Sequence, residues 1–258
     1  MTHLDDVEPS DLFDVDRFRD LKRRTAVVER VDNTTLVLGS TQRAPSDLFS
    51  VAARQRIEVR RRRSGGGAVL LEPQDPVWVD IWVPAGDELW ARDVTNSAVW
   101  LGATWVAALR AIGIDGAEVW AKPLRAPRLG LDVRSICFGS LAPGEVTVAG
   151  RKIVGISQWR CRQGSLFHCA LYSRWDPRTI VSLITNGSSE RSGAQRLEDL
   201  AVAEESVGDA GSALIDYLID FATGIQDLTG TPVARSAVVS ALADSLPDRA
   251  SWDLESIL

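Results

Sequence analysis

Between Ala26 and Tyr172 the apolar residues recur mostly at period two in short runs broken by turn signals, whereas the last third repeats at three and four. The strand-like runs are Ala26 to Val31, Thr35 to Leu38, Ile57 to Arg63, Ala68 to Leu71 and Val77 to Val83. They continue at Ala117 to Ala121, Val133 to Phe138, Glu145 to Val148, Lys152 to Gln158 and Leu166 to Tyr172. A helix opens after Pro45 with Ser46 or Asp47 as its cap, and a long amphipathic helix is predicted from Asp87 to Ile112. Helices are also predicted over Pro177 to Ile184, Arg196 to Glu204, Ser212 to Asp227 and Ala234 to Ala243, with a loop at Arg191-Ser192-Gly193. Hairpin-spaced strands followed by helices predict an α+β fold, a mainly antiparallel mixed sheet flanked by helices. Residues 1–24 read as an arm or short surface helix, and 25–258 as a single domain.

Composition narrows the function classes. A net charge of −6 argues against a dedicated nucleic-acid binder. Three cysteines in 258 residues do not make a disulfide framework. No apolar run approaches the ~20 residues needed to span a bilayer, and the acidic start lacks the basic and apolar parts of a signal peptide. A cytoplasmic protein without membrane or nucleic-acid partners is expected. Of 29 basic residues only Lys22, Lys122 and Lys152 are lysine. In so arginine-rich a chain, a lysine marks a place where a compact ammonium serves better than a fork.

Two segments carry chemistry. Arg60 to Arg63 runs into Ser64-Gly65-Gly66-Gly67-Ala68-Val69. Consecutive glycines permit close backbone approach to an anion or a ligand chain, and the arginines can supply forked donors. A flexible hairpin with a solvated basic strand would read the same way. The loop is neither a Walker loop nor a G-x-G-x-x-G fingerprint. The second segment is Gly150-Arg151-Lys152-Ile153-Val154-Gly155-Ile156-Ser157-Gln158. Its lysine could neutralise developing negative charge in a dry site, or stand on an exposed edge strand and limit aggregation.

Together the segments resemble the lipoate–protein ligase and octanoyltransferase family, whose motifs read R-R-x-S-G-G-G-A-V and G-R-K-I/V-x-G-x-x-Q. Thr35 to Gln42 is similar to that family's strand before the first helix, and Leu166-Phe167-His168-Cys169-Ala170-Leu171 stands where it has H-H-G-T-L. The resemblance runs in order over about residues 25 to 185 and implies the biotin/lipoate ligase fold, related to class II synthetase catalytic domains. It implies activation of lipoate or octanoate with ATP and Mg²⁺ to an acyl-adenylate, then transfer to a carrier lysine. The implied carriers are lipoyl domains, those of 2-oxoacid dehydrogenase E2 subunits or the glycine cleavage H protein, with an accessory subunit left open. By the same resemblance Lys152 lies beside the carboxyl carbon and α-phosphate. Ser64, Gly65, Gly66, Gly67, Ala68 and Val69 line the acyl tunnel, Arg61 or Arg62 supports the adenylate, and Gly155, Ser157, Gln158, His168 and Ala170 complete the site. No resident metal site is implied. Lys152→Ala is expected to leave the fold intact. The chain departs from the pattern at Leu71 to Pro76, where H-D-x-G-N is usual, and at Cys169-Ala170, where Gly-Thr is usual.

Cys137 begins Cys137-Phe138-Gly139, fifteen residues before Lys152. Cysteine-type octanoyltransferases of the family resemble this layout, and there the thiolate takes the acyl group from acyl carrier protein without ATP. A lysine beside a thiol favours the nucleophilic thiolate, whereas a free cysteine is commonly a small buried hydrophobe. The ligase is the first expectation, the Cys137 transferase the second, and a non-catalytic acyl- or carrier-binding homologue the third. Cys161 and Cys169 lack metal-ligand spacing. His168 reads as a ligand contact or a satisfied core histidine. Trp90, Trp100 and Trp105 read as packing.

Overall fold

A computed structural model describes residues 15–126, 133–185 and 211–255. In chain order these form β1 (Arg24–Glu29), β2 (Thr35–Leu38), α1 (Leu48–Arg54), β3 (Glu58–Arg61), β4 (Val69–Leu71) and β5 (Val77–Pro84). There follow α2 (Val99–Ala111), β6 (Ala117–Val119), β7 (Val146–Val148), β8 (Arg151–Cys161), β9 (Gly164–Leu171) and α3 (Arg178–Thr185). The chain closes with α4 (211–221), α5 (Ile225–Thr229), α6 (Arg235–Ser245) and β10 (Trp252–Glu255). Among the described residues no helix is long and apolar enough to cross a membrane.

Seven strands make the large sheet in the order β10-β1-β5-β9-β8-β7-β6, antiparallel except for β10 against β1. A small sheet of three lies in the order β3-β2-β4, with β2 and β3 parallel. The Asp32-Asn33 turn therefore closes no hairpin; it carries the chain from one sheet to the other. Every residue of β1 is buried, the pattern of a strand covered on both faces. On one face α2 and α6 press Leu101, Trp105, Leu109 and Leu242 against Val79, Ile81, Val154 and Phe167. On the other, the small sheet with α1, α3 and α4 contributes Leu36, Leu38, Val69 and Leu218 around Trp78 and Ala170. Each such side chain contributes about 1.5–3 kcal/mol by leaving water. The described part of the arm is a single 3-10 turn, Val15–Phe18, which buries Val15 and Phe18 against Val27, Trp82 and Leu166.

Several expectations are corrected. The helix predicted from Asp87 begins only at Val99, because the Asp87 and Asp93 carboxylates accept the N–H groups of Leu89 and Thr95. Such local bonds compete with helix formation. Val133 to Phe138 is not a strand but two 3-10 turns, Val133–Ser135 and Cys137–Gly139. The helix predicted over Ser212 to Asp227 breaks at Ala222 to Gly224, where Thr223 N–H bonds the Lys152 carbonyl and Gly224 N–H bonds Asp227. Asp47 is the N-cap of α1 without a side-chain cap bond. The parallel edge strand β10 had no expectation at all. The helix predicted at Arg196 to Glu204 and the loop at Arg191-Ser192-Gly193 lie outside the described residues.

Candidate active site

The glycine loop connects β3 to β4, on opposite sides of β2. Arg62, only 1% exposed, holds it from inside. Its Nε donates to Ser64 Oγ (3.0 Å), Nη2 to the Gly65 and Gly67 carbonyls (2.7 and 2.9 Å), and Nη1 to the Val37 carbonyl (3.3 Å). Arg61 Nη1 donates to the Gly39 and Gln42 carbonyls at 2.7 and 2.9 Å. Both arginines thus spend donors on backbone carbonyls in and around the loop. Burial lowers the Arg62 pKa.

Gly67 lies flat on the Cys137 turn. Ala68 N–H donates to the Ser135 carbonyl (2.7 Å) and Cys137 N–H to the Ala68 carbonyl (2.9 Å). A Cβ on Gly67 would stand 2.6 Å from the Ile136 carbonyl carbon and 2.7 Å from Cys137 N. Gly67→Ala should therefore push the turn off the loop, costing about 1–3 kcal/mol as overpacking does. The Tm should fall; an unchanged Tm would contradict this packing.

Lys152 is not an exposed edge lysine. It is 1% exposed, on a strand paired on both sides, and its three ammonium donors all have partners. Nζ lies 2.7 Å from Glu145 Oε1, 2.6 Å from the Cys137 carbonyl and 3.0 Å from the Ser140 carbonyl. Cys137 Sγ is 3.9 Å away. Glu145 is itself buried, accepting Ile156 N–H on Oε1 and Ala142 N–H on Oε2. In sequence Glu145 stands only as the first residue of a strand. The available signal was a lone acid heading an apolar strand, seven residues from a strand lysine.

Gly155 makes room for the thiol: a Cβ there would come 3.2 Å from both Cys137 Sγ and the Phe138 ring. Ser157 Oγ meets Ser64 Oγ at 3.0 Å, joining β8 to the glycine loop. Across the sheet Ala170 is the register partner of Gly155, and His168 of Ser157. His168 Nδ1 pairs with Asp80 Oδ1 at 2.7 Å, and Trp78 Nε1 donates to that same oxygen. Val69 is buried in β4, and Gly65 stands at the loop's open edge. Gln158 is not brought to this cluster. Strand alternation turns it to the other face, where its Oε1 accepts Ser97 Oγ (2.8 Å) at the approach to α2.

Cys137 is half-buried at the start of its turn. Burial pushes the Cys169 thiol up to about 12, which keeps it protonated and unreactive. Iodoacetamide at neutral pH should accordingly label Cys137 and spare Cys169, as peptide mass mapping would read. Labelling of Cys169 in the folded protein would contradict its burial. Among the described residues no cluster of His, Cys, Asp and Glu could hold a metal ion.

A glycine loop, a buried lysine and a thiol converge on one strand end. The model of the lipoyl protein ligase A/B catalytic domain matches residues 17–218. The chain belongs to that family. Within it, a relative named octanoyltransferase LipM from Kyrpidia tusciae is 27% identical over 225 residues, covering 87% of this chain and 74% of the relative. Another octanoyltransferase LipM, from Carboxydothermus hydrogenoformans, is 30% identical over 158 residues, 61% of this chain and 56% of the relative. The fold matches a bipartite lipoate protein ligase of Thermoplasma acidophilum, described with its E2 lipoyl domain, at a TM-score of 0.64 and 15% identity. That match covers 95% of this chain and 79% of the neighbour. A lipoate-protein ligase A bound with ATP matches at a TM-score of 0.60 and 14% identity, over 95% and 81% of the two chains. This family member has the expected α+β fold, with a mostly antiparallel sheet flanked by helices.

Proposed function

We propose that this family member is a cysteine-dependent acyltransferase, moving an octanoyl group from the thioester of acyl carrier protein to a lysine of a lipoyl carrier domain. The observation that carries the reading is the half-buried Cys137 thiol, 3.9 Å from the Lys152 ammonium and on the turn held by the Arg62-braced loop. Geometry supports it. Glu145 holds the Lys152 ammonium beside the sulfur, and the Arg62-braced loop takes the Cys137 backbone N–H on the Ala68 carbonyl. The relatives named octanoyltransferase LipM favour the same chemistry.

In the first step the Cys137 thiolate attacks the donor's thioester carbonyl carbon. The bond to the donor sulfur breaks, that thiolate takes a proton from solvent, and the acyl group remains on Cys137 as a thioester. In the second step the neutral amine of the acceptor lysine attacks the same carbon. The bond to Cys137 Sγ breaks, the thiolate is regenerated, and the new amide nitrogen gives a proton back to solvent. Lys152 acts throughout as a fixed positive charge beside the sulfur, oriented by Glu145.

ATP-dependent ligation of lipoate or octanoate is the competing route. The resemblance gives Arg61 or Arg62 to the adenylate in that route, and both already donate to backbone carbonyls, which leaves them fewer donors for it. Incubation with octanoyl–acyl carrier protein and an apo lipoyl domain should acylate the domain without ATP, read by intact mass. Acylation only from free lipoate or octanoate with Mg-ATP would overturn the transferase reading.

A further inference from the structure

A groove of roughly 400 Å³ opens beside the Cys137 turn, lined by Trp120, Leu124, Arg125, Ala126, Tyr217 and Phe221. It is joined to the reacting centre through the backbone. Tyr217 Oη donates to the Gly139 carbonyl at 3.0 Å, and Arg125 exchanges two backbone hydrogen bonds of 2.9 Å with Leu141. Among the described residues Arg125 is the charged one of this lining; Asp216 and Asp220 of α4 do not line it. Its guanidinium carbon stands 5.3 Å from the Phe221 ring centroid and 6.0 Å from that of Trp120. Lys122 Nζ lies 5.4 Å from the Trp120 ring, adding positive charge near the rim. Leu124 is 54% exposed, an apolar side chain left open to solvent at this edge. Aromatic walls with polar tips, and cations held over them, suit a long arm of methyl and amide groups that is anionic at its far end.

We propose that this groove takes the 4′-phosphopantetheine arm of the acyl donor. The phosphate pairs with Arg125, and the pantoyl methyl groups and amides lie along Trp120, Tyr217 and Phe221 while the thioester reaches Cys137. The proposal rests on the thioester-transfer reading above. It asks more than that reading does, because Cys137 could react with a thioester that had no bound arm.

The test compares acylation of Cys137 by octanoyl–acyl carrier protein, octanoyl-coenzyme A and octanoyl-N-acetylcysteamine, which ends before the pantoyl group and the phosphate. In Arg125→Ala the rate constant kcat/KM for both phosphate-bearing donors, divided by that for the truncated donor, should fall about tenfold. An equal loss on all three donors, or no loss on any, overturns the proposal. A loss confined to the carrier protein also overturns it, since Arg125 would then touch the protein and not the arm. Calorimetric titration of the wild type with 4′-phosphopantetheine itself separates this proposal from the one beneath it. Heat that vanishes in Arg125→Ala supports the groove even if no donor acylates Cys137, the result that would sink the transferase reading. No heat in the wild type, or Arg125-dependent heat from ATP alone, overturns the groove.

Discussion

Lys152→Met should lose about 3–5 kcal/mol of stability and at least a hundredfold in Cys137 acylation, because it leaves Glu145 a buried carboxylate without its cation. The expectation from sequence was the reverse: a strand lysine that could be removed without harm to the fold. Burial decides the sign. Glu145 would keep only the two backbone donors, Ile156 N–H and Ala142 N–H. Replacing both partners, as Lys152→Met with Glu145→Gln, removes the unpaired charge and should restore much of the stability without restoring activity. Urea unfolding of the three proteins, with acylation rates on each, gives the cycle. A Lys152→Met single variant as stable as the wild type would refute the buried pair.

Cys137→Ser should reduce transfer to the carrier lysine by at least about a thousandfold, since a hydroxyl at neutral pH is a far weaker nucleophile than a thiolate. Its stability should change by no more than about 1 kcal/mol. The reason is that the loop contact at this residue is its backbone N–H, and Lys152 holds its backbone carbonyl. Equilibrium unfolding and steady-state transfer therefore separate the two roles. Transfer within tenfold of the wild type would mean that the acyl group never rests on this sulfur.

The fold was legible where period two ran through whole strands. Val77 to Pro84 and Gly164 to Leu171 show their faces plainly, because both are buried by neighbours with matching alternation. It was illegible where backbone bonds outside the local pattern take over. Val133 to Phe138 look like a strand, but they wrap the glycine loop through Ala68, a partner far away in sequence. The start of α2 is masked by an apolar rhythm that Asp87 and Asp93 interrupt with side-chain bonds. Lys152, Ser64, Ser157 and Cys137, singled out by their segments, are brought together in the fold. Glu145 was not, because pairing it with Lys152 requires the β7–β8 register, which shifts between Val146 and Thr147. In sequence the arginine run offers donors to a ligand; in the fold Arg61 and Arg62 turn to backbone carbonyls, while Arg60 and Arg63 pair with Glu58 and Asp16. Four basic residues in a row say nothing about which of them the turn will bury.

The most direct test of the central claim is the covalent intermediate itself. The protein is mixed with octanoyl–acyl carrier protein, without ATP and without an acceptor domain, then quenched in acid and mapped by peptide mass spectrometry. The account predicts one octanoyl group on the peptide that carries Cys137, removed by neutral hydroxylamine and passed to an apo lipoyl domain when that is added before the quench. An unmodified Cys137 under these conditions, with octanoylation of the lipoyl domain still proceeding, would contradict it.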